Sequence, residues 1–394
     1  MATRAQLAHL LRRATFGPRA DEVDAAERAG YDATLANLLT PSTVDAGAAR
    51  TPAPKFETDP LVALAKGADR ATRQKAQQDL RQQVQQIVLW WLDRLVAADH
   101  QFAEKLVFFW HGHWATSVEK VRSAVVMLRQ QQTFRDLGAG DFGPFLKAML
   151  RDPALIIWLD GQQNTAKAPN ENLARESMEL FTLGIGNYTE ADVRAAARAL
   201  TGWQVRRGDL AATFASQRHD GGDKTILGRT GAFDTDGYAD LLLAQPAHPK
   251  FLAARLWYRF ASGEPLPDDV AGRLADAYRA HDVTALAKAL FTDRGLKALG
   301  QTLFAPPSVG GWPAGAAWLS TSATEHRVAF ATQLAARASR PVLDAVAAGG
   351  VEGLSRLLVV DGFTDRTRAV LGGAVKDPKR LLALGLASPE YAVC

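Results

Sequence analysis

The chain has 394 residues, of which 47% are hydrophobic and 22% charged, so it carries enough apolar mass for a large buried core and is not a disordered chain. Lysine and arginine outnumber acidic residues by only 46 to 42, a balance that does not call for nucleic acid. The sole cysteine is Cys394, which excludes internal disulfides, thiolate zinc sites and cysteine catalysis, so a metal here takes nitrogen and oxygen ligands.

The opening MATRAQLAHLLRRATFG is patterned as an amphipathic helix closed by Gly17-Pro18, not as a basic-then-apolar leader, and the expected location is cytoplasmic. Residues 40–59, rich in Pro, Thr and Ala, read as a linker or flap. Apolar spacing then predicts a long helix from Leu89 to Trp110, leading into FFWHGHWATS. Residues two apart on a helix point about 200° away from each other, so one metal takes both His111 and His113 only if the chain leaves the helix there. Gly112 between them lowers the cost of doing so. Paired ligands and two imidazoles hydrogen-bonded within an aromatic cluster both fit this stretch.

The next informative stretch, PNENLARESMELFTLG, predicts a helix of about four turns, capped by Asn170 and stopped by Gly184. Asn172, Glu176 and Glu179 share one stripe, Leu173, Leu180 and Leu183 another, and Glu171 stands one turn before Arg175. Thr189 with Asp192 matches a capping box for the helix containing VRAAARAL. Residues 206–237 are Gly-rich and read as a site loop or hairpin that presents His219, Asp220 and Lys224. In FAPPSVGGWPAGAAW, residues 304–318, Trp312 and Trp318 suit a loop that caps the core or a surface that stacks on a sugar.

Neither GxSxG nor a phosphate-binding glycine loop occurs, and no run of about 18 apolar residues offers a membrane span. The expected fold is mainly α: a multi-helix globular fold with long loops and at most a small β-hairpin, built as one domain over 1–394 or as two lobes of it.

Six ordered motifs, HLLRRATFGP, FWHGHWATS, APNENLARESMELFTLG with GNYTEADV, ARALTGW, HDGGDKTILG and PPSVGGWP, resemble the DUF1800 family of large bacterial proteins of unknown function. The resemblance spans roughly residues 5 to 390. Ser308 stands where the family pattern has asparagine, and related proteins are often exported. The resemblance implies that His111, His113, Glu171, Asn172, Arg175, Glu176, Glu179, His219, Asp220 and Lys224 belong to one polar site. Imidazoles and carboxylates without thiols are a ligand set for Zn, Mn or Fe.

The favoured expectation is therefore a metal-dependent enzyme of unspecified substrate, with hydrolysis first. His111, His113, Glu176, Glu179, His219 and Asp220 would hold the divalent metal, Glu176 would serve as base, and Arg175 or Lys224 would steady developing negative charge. A non-haem iron oxidoreductase would use nearly the same ligands. The third expectation is a metal-free binding or scaffold protein, in which His111 and His113 hydrogen-bond to Glu176 and Glu179 and the Trp-rich loop holds a saccharide or peptide partner.

Overall fold

The computed structural model describes residues 3–41, 43–206, 208–261, 265–278, 281–292 and 321–392. The chain is mainly helical. It opens with α1 (Arg4–Ala14), α2 (Ala20–Ala29), α3 (Tyr31–Leu39) and α4 (Ala46–Arg50), followed by α5 (Arg70–Ala97), α6 (Gln101–His113), α7 (Val118–Val121) and α8 (Ala124–Leu137). Next come α9 (Phe142–Met149), α10 (Pro153–Trp158), α11 (Asn172–Glu176) and α12 (Glu190–Ala199). Two hairpins then pair β1 (Trp203–Val205) with β2 (Ala212–Phe214) and β3 (Lys224–Ile226) with β4 (Arg229–Gly231), both antiparallel. Helices α13 (Thr235–Leu243), α14 (Ala247–Leu256), α15 (Asp268–Ala277) and α16 (Val283–Thr292) follow. A last group comprises α17 (Thr321–Ala336), α18 (Arg340–Leu357), α19 (Asp365–Gly372), α20 (Pro378–Leu386) and α21 (Pro389–Ala392). Among the described residues no helix is long and apolar enough to cross a membrane.

The expected single helix from Leu89 to Trp110 is two helices, because the chain turns at Ala98–His100. The turn is fixed from outside: the Asp45 carboxylate accepts the Asp99 and His100 amides, both at 3.0 Å, and also caps α4 through the Ala48 amide. Residues 40–59, expected as a linker or flap, are thereby held against the body. Trp90 and Arg94 donate to the Thr51 carbonyl at 2.9 and 2.7 Å, and a Cβ on Gly47 would lie 1.6 Å from the Ala97 carbonyl oxygen. Only glycine fits that crossing of α4 over the end of α5.

Helix α6 runs through the middle of the main core. Phe102, Leu106, Phe109 and Trp110 are all buried, and Trp110 and Trp114 pack on Phe142, Phe145 and Phe181. Each such ring removes a large apolar area from water, which is why this helix is buried on all sides. Helices α17–α20 enclose a second core around Val346, Leu354, Leu371 and Leu381. A third cluster joins the two ends of the fold, with Leu7, Leu11, Val23 and Ala26 packed around Val359. Arg356 pairs with Asp24 at 2.7 Å, and Arg12 donates to the Val359 carbonyl.

Candidate functional site

The helix does not end at Gly112. Residues 101–113 stay helical with Trp114 as the cap, so His111 and His113 diverge, as their spacing requires on a helix. His111 is fully buried, stands edge-on to Trp91 at 5.0 Å, and accepts from Gln131 Nε2 through Nδ1 at 3.1 Å. Burial, with a smaller contribution from the Arg135 guanidinium, pulls its pKa down to about 3, so the ring is neutral at neutral pH. His113 faces the other way, into Phe109, Trp110, Trp114, Phe181 and Phe251. Its Nε2 lies 3.0 Å from the Phe181 carbonyl. A carbonyl only accepts, so Nε2 carries the proton and the buried Nδ1 is a bare acceptor with no hydrogen-bond partner among the described residues. Burial, then Arg255, hold His113 well below the ordinary histidine pKa.

The receiving carbonyl belongs to a local irregularity. The predicted four-turn helix is α11 followed by a π-turn over Ser177–Thr182, in which the Leu183 amide reaches back five residues to the Met178 carbonyl at 2.9 Å. The wider turn ends at Gly184 with φ 82°, the left-handed stop expected from the sequence. The terminal carbonyls of any helix lack partners within it. Here imidazoles supply them: His113 donates to Phe181, and His248 Nδ1 donates to Thr182 at 3.0 Å while its Nε2 accepts from the Tyr278 hydroxyl at 3.0 Å. His248 is buried and has its pKa lowered to about 4, mainly by desolvation. His248 is missing from the sequence-based site because AHPKF carries no local signal of this role.

On the outer side the same segment is acidic. The Arg175 guanidinium forks onto Glu190 at 2.6 and 2.7 Å and reaches Glu171 at 3.0 Å. Glu179 accepts from the Tyr188 hydroxyl at 2.7 Å. Glu176 is half-buried, makes no hydrogen bond or ion pair among the described residues, and has its pKa raised by burial and then by the neighbouring Glu179 charge. Asn172 is exposed, and its amide is received by the Asn170 side chain at 3.0 Å, so Asn170 works one residue ahead of the Glu171 cap. Beside this face, Gly184 and Gly186 hold Ile185 out at 80% exposure.

The third expected part keeps its own partners. His219 Nδ1 lies 3.1 Å from the Thr201 hydroxyl and 3.0 Å from the Thr201 carbonyl, with the ring against Phe214. Asp220 pairs with Arg198 at 2.6 Å, and that guanidinium holds its carboxyl below the usual range. Lys224 is buried at the start of β3, where its ammonium closes the loop by donating to the Asp220 and Gly222 carbonyls at 2.5 and 2.7 Å. It is a fixed strut of this loop, tied to the carbonyls of its own turn.

Among the described residues, no hydrogen bond, ion pair or ring contact links His219 to the histidine pair or to Glu176, and no three His, Asp, Glu or Cys side chains are grouped as ligands for one metal ion. Trp312, Trp318 and Ser308 lie outside the described residues.

The family pattern described as "Protein of unknown function (DUF1800)" matches residues 9–298 and 292–393, nearly the whole chain. The chain belongs to the DUF1800 family. No curated protein and no solved structure matches it. In this DUF1800 protein the HLLRRATFGP motif also has a buried side that its sequence conceals. Arg13 is buried, Lys105 donates to the Thr15 carbonyl and lies 5.0 Å from the Phe16 ring centre, and the half-buried Arg259 lies over the Phe108 ring. Desolvation, then the Arg259 and Arg13 charges, lower the Lys105 pKa to about 7. A lysine in EKLVFF gives no hint of this burial, because the period of α6 is swamped by apolar residues on every side.

Proposed function

We propose that this chain works by binding, with the acidic outer face of α11 and its π-turn as the recognition surface and the histidines as internal supports for that surface. The observation that carries this reading is the division of labour across the π-turn: His113 and His248 are spent on its carbonyls, while Glu176 on the outside has no hydrogen bond or ion pair among the described residues. A half-buried carboxylate beside a second one gains most from a cation. With Tyr188 and the protruding Ile185 next to it, the chemistry favours a peptide segment carrying a lysine or arginine beside an apolar residue.

Fluorescence anisotropy with a labelled lysine–leucine peptide, and with its glutamate–leucine counterpart, tests this directly. The lysine peptide should bind in a salt-sensitive way, and Glu176→Gln should weaken it about tenfold, equivalent to about 1.4 kcal/mol. Equal binding of both peptides, or an unaffected Glu176→Gln variant, overturns the reading, and selective capture of a neutral oligosaccharide replaces it with the saccharide alternative.

The metal-dependent hydrolase or iron oxidoreductase reading keeps one specific support, since the Glu176–Glu179 pair would also be relieved by a divalent cation. Elemental analysis of the purified protein separates the two. A stoichiometric Zn, Mn or Fe that is lost in Glu176→Gln but retained in His111→Gln would favour a carboxylate-centred metal enzyme.

A further inference from the structure

A pocket of about 490 Å³ lies away from the acidic face, where four separate segments meet. Asp59, Leu61, Val62 and Leu64 form one wall, Arg73 and Gln77 of α5 a second, and Val121–Ser123 a third; Leu210, at the tip of the β1–β2 hairpin, closes the fourth. Arg129 donates to the Asp209 carbonyl at 2.6 Å and tethers that tip.

Three independent features single the pocket out. Asp59 is buried, and its Oδ1 accepts the Leu61 and Val62 amides at 3.0 and 3.1 Å, but its Oδ2 is buried with no hydrogen-bond partner among the described residues. A buried carboxylate oxygen without a donor is costly and calls for one. Arg73 and Arg122 are both exposed and form no ion pair among the described residues. Finally, Arg122 (φ 54°) and Leu210 (φ 54°) are two of the six left-handed non-glycine residues among those described, and both line this pocket. Arg122 caps α7 where glycine is the ordinary choice, and leucine offers the left-handed backbone no polar compensation. Such strain persists where the side chain is needed.

We propose that this pocket binds a free apolar α-amino acid. Its ammonium would donate to Asp59 Oδ2, its carboxylate would lie against Arg73 and Arg122, and its side chain would rest on Leu61, Val62, Leu64, Val121 and Leu210. The assignment follows from the mixture of one unfilled buried acceptor, two cations free of ion pairs among the described residues and an apolar wall, since an anion alone leaves Asp59 unsatisfied and an amine alone makes no use of the two arginines.

Calorimetry and thermal melts of the full chain with L-leucine, leucinamide and N-acetyl-leucine provide the test. L-Leucine should bind with a Kd below about 1 mM and raise the Tm, while leucinamide, which lacks the carboxylate, and N-acetyl-leucine, which lacks the ammonium, should each bind at least about tenfold more weakly. Asp59→Asn retains an oxygen for the Leu61 and Val62 amides and presents an amide instead of the unfilled acceptor, so it should lose leucine binding with little change in the melt of the free protein. Arg122→Gly removes the cation and relieves the left-handed backbone, so its free-protein Tm should hold or rise while leucine affinity falls. Absence of any leucine effect, equal binding of N-acetyl-leucine, or undiminished binding in both variants overturns the proposal. Because Glu176 is not part of this pocket, leucine binding in Glu176→Gln should equal that of the parent.

Discussion

Helix α6 and the α11 π-turn segment both carry polar motifs that stand out in the sequence, and they touch at the Phe181 carbonyl, yet the structure treats them in opposite ways. On α6 the imidazoles are sealed among aromatic rings, stripped of charge by desolvation, and given hydrogen bonds that hold neighbouring groups in place. On the outer side of α11 the carboxylates stay in partial contact with water and are only partly matched by Arg175 and Tyr188. Identical-looking ligand residues thus acquire different work from burial alone. A buried polar side chain is kept for the bond it makes, and an exposed one for the bond it leaves open.

Acid acts most strongly on the sealed imidazoles. His111, His113 and His248 are all neutral in the fold with pKa values depressed below the unfolded 6.5, so between that value and the folded values the unfolded chain binds more protons and stability falls as the pH drops. Urea melts should show several kcal/mol lost between pH 7 and pH 5, where one such histidine alone is worth about 2 kcal/mol. Buried Asp152, whose pKa is raised to about 7 mainly by desolvation, opposes this in part, because protonation favours its folded form over the same range. A flat profile from pH 7 to 5 would mean that the imidazoles are not sealed.

A smaller effect should follow His113→Phe, which preserves ring packing but removes the donor to Phe181 and leaves a buried carbonyl unpaired. The expected loss is about 2–3 kcal/mol, read from denaturant midpoints at pH 7, and an unchanged midpoint would place the π-turn's support elsewhere. The smallest effect belongs to the acidic face. Glu176→Gln should change stability by less than about 1 kcal/mol, with a slight gain at pH 8, since a carboxyl whose folded pKa is raised destabilises the fold once the pH exceeds it. A large loss there would reveal Glu176 as a structural ion-pair partner and erase the contrast.

The helical class, the Thr189–Asp192 capping box and the Gly184 stop were legible because each is a local pattern with a local cause. What was not legible depends on distant partners. The turn at Ala98–His100 contains neither glycine nor proline and is made by Asp45, more than fifty residues earlier. The π-turn inserts a widened turn into a stretch whose leucines and glutamates fit an ordinary helix equally well, and its stabilising imidazoles come from α6 and α14. Reading His111 and His113 as a pair required the helix to stop at Gly112. One glycine does not outweigh the burial of Phe109, Trp110 and Trp114 around it.

The cluster that joins Leu7, Leu11, Val23 and Ala26 to Val359 has a consequence for how the chain is made. At ribosomal rates of about 5–20 residues per second, the first two helices emerge tens of seconds before the strand of chain that covers them. During that interval Leu7, Leu11, Val23 and Ala26 lack the Val359 side chain, and Arg12 and Asp24 lack the Val359 carbonyl and the Arg356 guanidinium. The packing of the amino-terminal helices is therefore completed late in biosynthesis, although Leu10 and Ala14 join the main core without residue 359. A nascent chain arrested before residue 359 should be more readily cut by protease within α1 and α2 than the released protein.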